Sequence, residues 1–182
     1  MLNAVGAVEL SSIAKGFEIA DLMLKTSEVK LLLARSICPG KYLILISGDV
    51  GPVNAAVDAG SEKASHCLVD NFVIPNIDDK VLAAIENVVT VQSPQAFGSV
   101  EVFSVSAIIE AADAAVKAAD ITLMEIRLAM AIGGKGFFTL TGTVASVETA
   151  VNAAVMVASR KGLLVEKTVI ANPRKELFYE NI

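Results

Sequence analysis

The sequence predicts an α/β chain of the α+β kind: two tandem copies of one domain, each an antiparallel sheet with its helices on one face. Three observations predict it. The chain repeats itself, its apolar residues switch between strand-like and helix-like spacing, and the order of elements is the same in both copies. Sliding the chain by about 92 positions brings Val8-Glu9 onto Val100-Glu101, Ser12 onto Ser104, Glu18 onto Glu110, Ala20-Asp21 onto Ala112-Asp113, Lys25 onto Lys117 and Arg35 onto Arg127. Two further steps of two residues carry Gly40-Lys41 onto Gly134-Lys135, Gly48 onto Gly142, Val73-Ile74 onto Val169-Ile170 and Asn76 onto Asn172. A register held over so much chain is an internal duplication. It places copy one at residues 1–88 and copy two at 96–182, with a linker from Asn87 to Phe97 that contains Ser93-Pro94.

Taken in order, Val5 to Ser11 reads as a strand. Ile13 to Lys25 carries Ile13, Phe17, Ala20 and Leu24 at helical spacing, which predicts an amphipathic helix. Val29 to Ile37 and Tyr42 to Ser47 are strands joined at Pro39-Gly40. Proline cannot donate to a strand ladder and glycine accepts positive φ, so this pair forms a tight turn. Asp49 stands where it caps a helix running from about Pro52 to Ser65. Phe72 to Ile74 is a last strand, and Asp78 to Ile85 a short helix that closes the copy. Copy two repeats the series: a strand from Val100, a helix Ile108 to Ala119, a strand Ile121 to Ile132, a turn, a strand Phe137 to Thr141, a helix Val144 to Arg160 and a strand Leu164 to Ile170. The tail Asn172 to Ile182 is polar. The order strand-helix-strand-strand-helix-strand gives a ferredoxin-like sandwich.

Composition narrows the function. The 182 residues are 54% hydrophobic, with a mean hydropathy of +0.61, yet charges such as Asp120, Glu125 and Arg127 break every apolar run. None reaches the roughly 20 residues of a membrane span, so no membrane partner is expected. The surplus is mostly Ala and Val, and it points to apolar surface buried between subunits. The first cation is Lys15, which leaves no basic segment for a secretory signal. A net charge of −5 and a pI near 4.9 argue against a nucleic-acid partner. Cys38 and Cys67 lie in a chain without an export signal, so they read as reduced thiols or metal ligands, not a disulfide.

The runs Val8-Glu9, Glu18-Ile19-Ala20-Asp21, Lys25, Gly48-Asp49-Val50-Gly51-Pro52-Val53 and Phe72-Val73-Ile74-Pro75 resemble the bacterial microcompartment shell domain. The likeness covers nearly the whole chain, twice, and so resembles the tandem-domain shell proteins. That resemblance implies a homotrimer shaped as a pseudohexameric tile in a microcompartment shell in the cytoplasm, with other shell proteins as partners and no enzymatic activity. It implies that the turn between the second and third strands lines a central pore. The matching residues are Ser36, Ile37, Cys38, Pro39, Gly40 and Lys41 in copy one, and Ile132, Gly133, Gly134, Lys135 and Gly136 in copy two. It also implies tile-edge roles for Lys25 and Lys117, and for a basic residue after the last strand; copy two offers Arg174 there, whereas copy one has Asn76.

The Cys38-Pro39-Gly40 turn narrows the resemblance to the iron–sulfur-carrying trimeric shell proteins of propanediol-utilisation compartments. In that branch one pore-loop cysteine per subunit holds a 4Fe–4S cluster shared by three subunits, which implies electron transfer across the shell and encapsulated redox enzymes as partners. Such a cluster usually takes four thiolates, so three leave one iron for water or a small ligand. Lys41 is expected to offset the thiolate charge. Zinc held by three cysteines and water fits the same residues, and a cluster-free tile with a pore for small metabolites is the alternative function.

The remaining candidates are structural. Cys67 reads as a packing residue, and His66 as a helix-end residue. Gly133-Gly134-Lys135-Gly136 is followed by a strand, not a helix, so it is a second pore loop or a plain hairpin, not a phosphate cradle. Glu9, Glu18, Glu101 and Glu110 recur in both copies, which argues for structural use over an acid–base pair.

Overall fold

The first strand of each copy lies inside its sheet and everything else is arranged around it. The computed structural model describes residues 4–86, 89, 91, 95–129 and 132–178. The chain divides into two units, Met1–Ile77 and Asp78–Ile182.

Unit one runs β1 (Ala4–Leu10), α1 (Ile13–Thr26), β2 (Lys30–Ile37), β3 (Lys41–Gly48), α2 (Val50–Ala64) and β4 (Leu68–Pro75), with a 3-10 turn at Ser65–Cys67 before β4. The sheet order is β2-β3-β1-β4. Every neighbour is antiparallel, the arrangement the element order predicts. All seven residues of β1 are buried, six of them Val, Ala, Gly or Leu and the seventh Glu9. Val8, Leu10, Ile44 and Ile46 of the sheet form one core with Ile19 and Met23 of α1 and Val53 and Ala56 of α2. Each large aliphatic side chain sealed there contributes on the order of 1.5–3 kcal/mol.

The α1 helix begins at Ser12, whose Oγ accepts the Lys15 N–H at 3.3 Å. Its buried stripe is not the expected one. Gly16, Ile19, Ala20 and Met23 face the core, while Ile13, Phe17 and Leu24 are 41%, 65% and 38% exposed. The cause is Gly16, which has no side chain and so lets the Tyr42 ring lie against the helix backbone; a Cβ there would stand 2.2 Å from Tyr42 Cδ1. Asp49 occupies the N-cap position of α2, but its side chain makes no capping hydrogen bond. Copy two restores the cap, since Thr143 Oγ1 accepts the Ser146 N–H at 3.2 Å.

Unit two runs α3 (Asp79–Glu86), β5 (Ala96–Val102), α4 (Val105–Ala118), β6 (Thr122–Leu128), β7 (Gly136–Gly142), α5 (Val144–Arg160) and β8 (Leu164–Ile170), followed by a 3-10 turn at Lys175–Phe178. Its sheet order, β6-β7-β5-β8, reproduces that of unit one. The α3 helix, read in the sequence as the end of copy one, packs here against β6 and α4. The Asp113 carboxylate accepts the Asp78 N–H at 2.9 Å, and Lys80 Nζ donates to the Ile121 carbonyl at 3.2 Å. Of the expected linker, Val89 donates its N–H to Met124 at 2.6 Å, whereas Ser93-Pro94 lie outside the described residues.

Several elements differ in length from their sequence-based expectation. Strand β4 starts at Leu68 and β5 at Ala96 because polar Asp70-Asn71 and small Gly98-Ser99 still pair with β1 and with β7. Strand β6 stops at Leu128, where Ala129 takes a φ of 51°; Met130 and Ala131 lie outside the described residues. No helix among the described residues is long and apolar enough to cross a membrane.

The Gly16 contact makes a clean test. Gly16→Ala forces a methyl into the Tyr42 ring and is expected to cost about 1–3 kcal/mol in urea denaturation. Gly51→Ala, in the first turn of α2 with open space around it, is expected to be neutral or stabilising by about 0.4–1 kcal/mol.

Candidate functional site

The β2–β3 hairpin follows from its residues. Ser36 pairs with Tyr42 and Ile37 with Lys41, which leaves Cys38, Pro39 and Gly40 to make the turn. Gly40 sits at φ 73° with open space where a Cβ would stand, a conformation that favours glycine. Ser36, Pro39 and Gly40 are exposed, and Cys38 and Lys41 half-buried. Ile37 was expected to line the pore with them, but it turns into the core and is 4% exposed. An apolar strand residue buries where its neighbour across the pleat is polar.

Below the turn, Tyr42 is buried and its ring lies 5.0 Å from that of Phe17, tilted by 51°. Burial pushes its hydroxyl pKa up. Lys41 Nζ meets Glu9 Oε1 at 2.7 Å, and the Glu9 side chain is only 8% exposed. Lys41, expected to offset the charge of nearby thiolates, already has a carboxylate partner on β1. The clamp recurs in unit two, where Lys135 Nζ meets Glu101 Oε1 at 2.6 Å. There the turn runs through Gly133 and Gly134, both at positive φ, and Lys135 N–H donates to the Ile132 carbonyl at 3.3 Å. Strand β7 follows directly, so the segment is a hairpin, not a helix-capped phosphate loop.

The repeated glutamates are all used in ion pairs. Besides Glu9 and Glu101, Glu18 meets Lys15 at 2.6 Å and Lys63 at 3.5 Å. The Lys15 hydrogen bond leads in holding the Glu18 carboxyl below its ordinary pKa. Glu110 meets Lys161 at 2.6 Å. Of the edge residues, Lys25 pairs with Asp21 at 2.6 Å on an open helix face, and Lys117 pairs with Asp113 at 2.5 Å. Arg174 is exposed beyond β8.

Both cysteines are free thiols. Cys67 is buried, and its carbonyl holds Ser11 through N–H and Oγ; its sulfur serves packing. His66 lies exposed in the short turn after α2. Among the described residues no group of three or more His, Cys, Asp or Glu is placed to hold a metal ion. One chain therefore presents one accessible thiol, at the tip of one hairpin. Sequence reasoning missed Arg35, on β2 beside this hairpin. Its Nε is buried with no hydrogen-bond partner among the described residues, and burial lowers its pKa. Its counterpart Arg127 bonds Glu125 at 2.6 Å; the equivalent position in copy one is Leu33, and that difference was visible in the repeat.

Known proteins share this arrangement. The family model described as the BMC domain matches residues 4–77 and 96–173. The chain is 45% identical over 182 residues to the bacterial microcompartment shell protein PduT of Citrobacter freundii, covering 100% of this chain and 99% of that one. It is 34% identical over 93 residues to the major carboxysome shell protein CsoS1A of Halothiobacillus neapolitanus, covering 51% of this chain and 93% of that one. Among solved structures, a microcompartment protein from Desulfitobacterium hafniense superposes with a TM-score of 0.92 at 48% identity, covering 97% of this chain and 98% of that one.

Breaking the clamp separates it from ordinary surface pairs. Lys41→Met leaves the Glu9 carboxylate buried and unmatched, and is expected to cost about 1–3 kcal/mol in chemical denaturation. Lys25→Met, at an exposed pair, is expected to stay within about 0.5 kcal/mol of wild type.

Proposed function

The chain belongs to the BMC-domain family as a structural microcompartment shell protein, not an enzyme, and from that premise we propose that three copies close into a pseudohexameric tile whose hairpins surround a central pore. Two domains per chain and three chains supply six similar wedges. Cys38 of each subunit holds an iron–sulfur cluster, of the 4Fe–4S type, on the threefold axis. Lys25, Lys117 and Arg174 stand at the tile edge toward other shell proteins, and encapsulated redox enzymes are the electron partners.

One observation carries this reading: a free, partly exposed thiol at the tip of one hairpin, outside any group of three or more potential metal ligands among the described residues, with no cysteine in the twin hairpin. A lone thiol makes a poor metal site by itself, but threefold repetition supplies three thiolates and leaves the fourth position for water or a small ligand. When bound, such a cluster supplies one-electron transfer through the shell. The chain's own residues do the rest. Cys38 gives up its proton to become a ligand. Gly40 allows the turn its shape, and the Glu9–Lys41 clamp together with Tyr42 fixes the strands beneath it. Exposed Phe17, Phe103 and Met156, at 65%, 61% and 58%, are the kind of apolar surface that association between subunits covers.

Iron and sulfide measured on protein purified without air test it. The expected result is brown protein of trimer mass with about four irons and four sulfides per three chains, lost in Cys38→Ala without loss of the trimer. Wild-type protein that stays colourless and iron-free after anaerobic reconstitution overturns the cluster and leaves a pore for small metabolites. Metal without sulfide identifies the zinc alternative.

A further inference from the structure

The two units share a topology but not a covering. In unit two, α3 lies against β6 and α4, and four consecutive β6 residues, Leu123 to Ile126, are buried. The equivalent strand in unit one is bare. Leu31 of β2 is 38% exposed, and Leu32 to Ala34 are only half-buried. The helix face beside it shows the same contrast. Asp113 of α4 is 7% exposed and accepts the Asp78 N–H, whereas its counterpart Asp21 is open to solvent, with Lys25 across one turn.

The repeat names the segment that belongs there. Asn76 to Leu82 leads out of β4 into α3; Asn172 to Phe178 leads out of β8 and takes the corresponding places, sharing the asparagine and the apolar pair at its end. The apolar pair Val81-Leu82 is 0% and 9% exposed, and Leu177-Phe178 stands in its place. Leu177, however, is 45% exposed. Charge favours the match, because Asp78-Asp79 at the head of α3 become Arg174-Lys175, of opposite sign to the exposed Asp21 and Glu28 of unit one. Glu176 replaces Lys80, so the 3.8 Å contact of Lys80 with Asp120 has no counterpart.

We propose that residues 174–178 of one copy dock on β2 and α1 of the first unit of a second copy, as α3 docks on β6 and α4. Arg174 to Leu177 and the β2 face both stand exposed in a single chain, so the occupant comes from a neighbour. A contact that joins the end of one copy to the start of the next is heterologous, and such contacts close into rings when the rotation allows. The inference rests on the assembly reading above and not on the cluster.

A zero-length carbodiimide cross-linker applied to protein co-assembled from light and heavy nitrogen-labelled copies tests it. The expected product is a mixed-isotope peptide joining Lys175 to Asp21 or Glu28. A chain ending after Pro173 is expected to dissociate at a concentration about tenfold or more above wild type, read by native mass spectrometry. Wild-type trimer that yields no such cross-link, together with a truncated chain that holds its trimer equally well, overturns the docking and leaves the assembly reading intact. Wild-type monomer overturns both.

Discussion

The interior position of β1 is the constraint on which the rest of each unit depends. It pairs with β3 on one side and with β4 on the other, so it has no free edge and every side chain along it is sealed. A slip of one residue would turn its whole buried set over. The register is pinned at its far end, where Glu9 reaches Lys41 at the start of β3. That same lysine begins the strand that leaves the Cys38 turn. The pairing that builds the core therefore also decides where the thiol is presented.

Much of this was legible in the residues. The duplication revealed the element order and the two hairpins, because glycine, proline and the repeated charges keep their spacing while the apolar filling drifts. The helix face was misjudged for a physical reason. Periodicity weighs side chains, and the closest approach in α1 is made by Gly16, which has none. The placement of α3 was also hidden. Its neighbours β6 and α4 lie far along the chain, and nothing local in Asp79–Glu86 distinguishes a helix that closes one unit from one that opens the next. The Glu9–Lys41 clamp was half visible: both residues recur in copy two, yet their meeting across the sheet depends on the order of strands.

Duplication with divergence leaves one fold with two hairpins that share a frame and differ in what they present. Both hairpins keep the lysine clamp and a glycine at positive φ, which is what a stable turn requires. Only the first adds a thiol. Arg35, whose Nε has no hydrogen-bond partner among the described residues, and the bonded Arg127 show the same divergence on the neighbouring strand. The second copy retains the local pairs, and the first gives up some of them.

The placement of α3 separates the period of inheritance from the unit of folding. Counted along the chain, a copy runs from first strand to first strand; counted by what packs together, the second body begins one helix earlier, at Asp78. A half-molecule excised at the point of duplication would carry an orphan helix at its end. Its other half would present β6 as a bare edge, the kind of surface that recruits stray strands and aggregates.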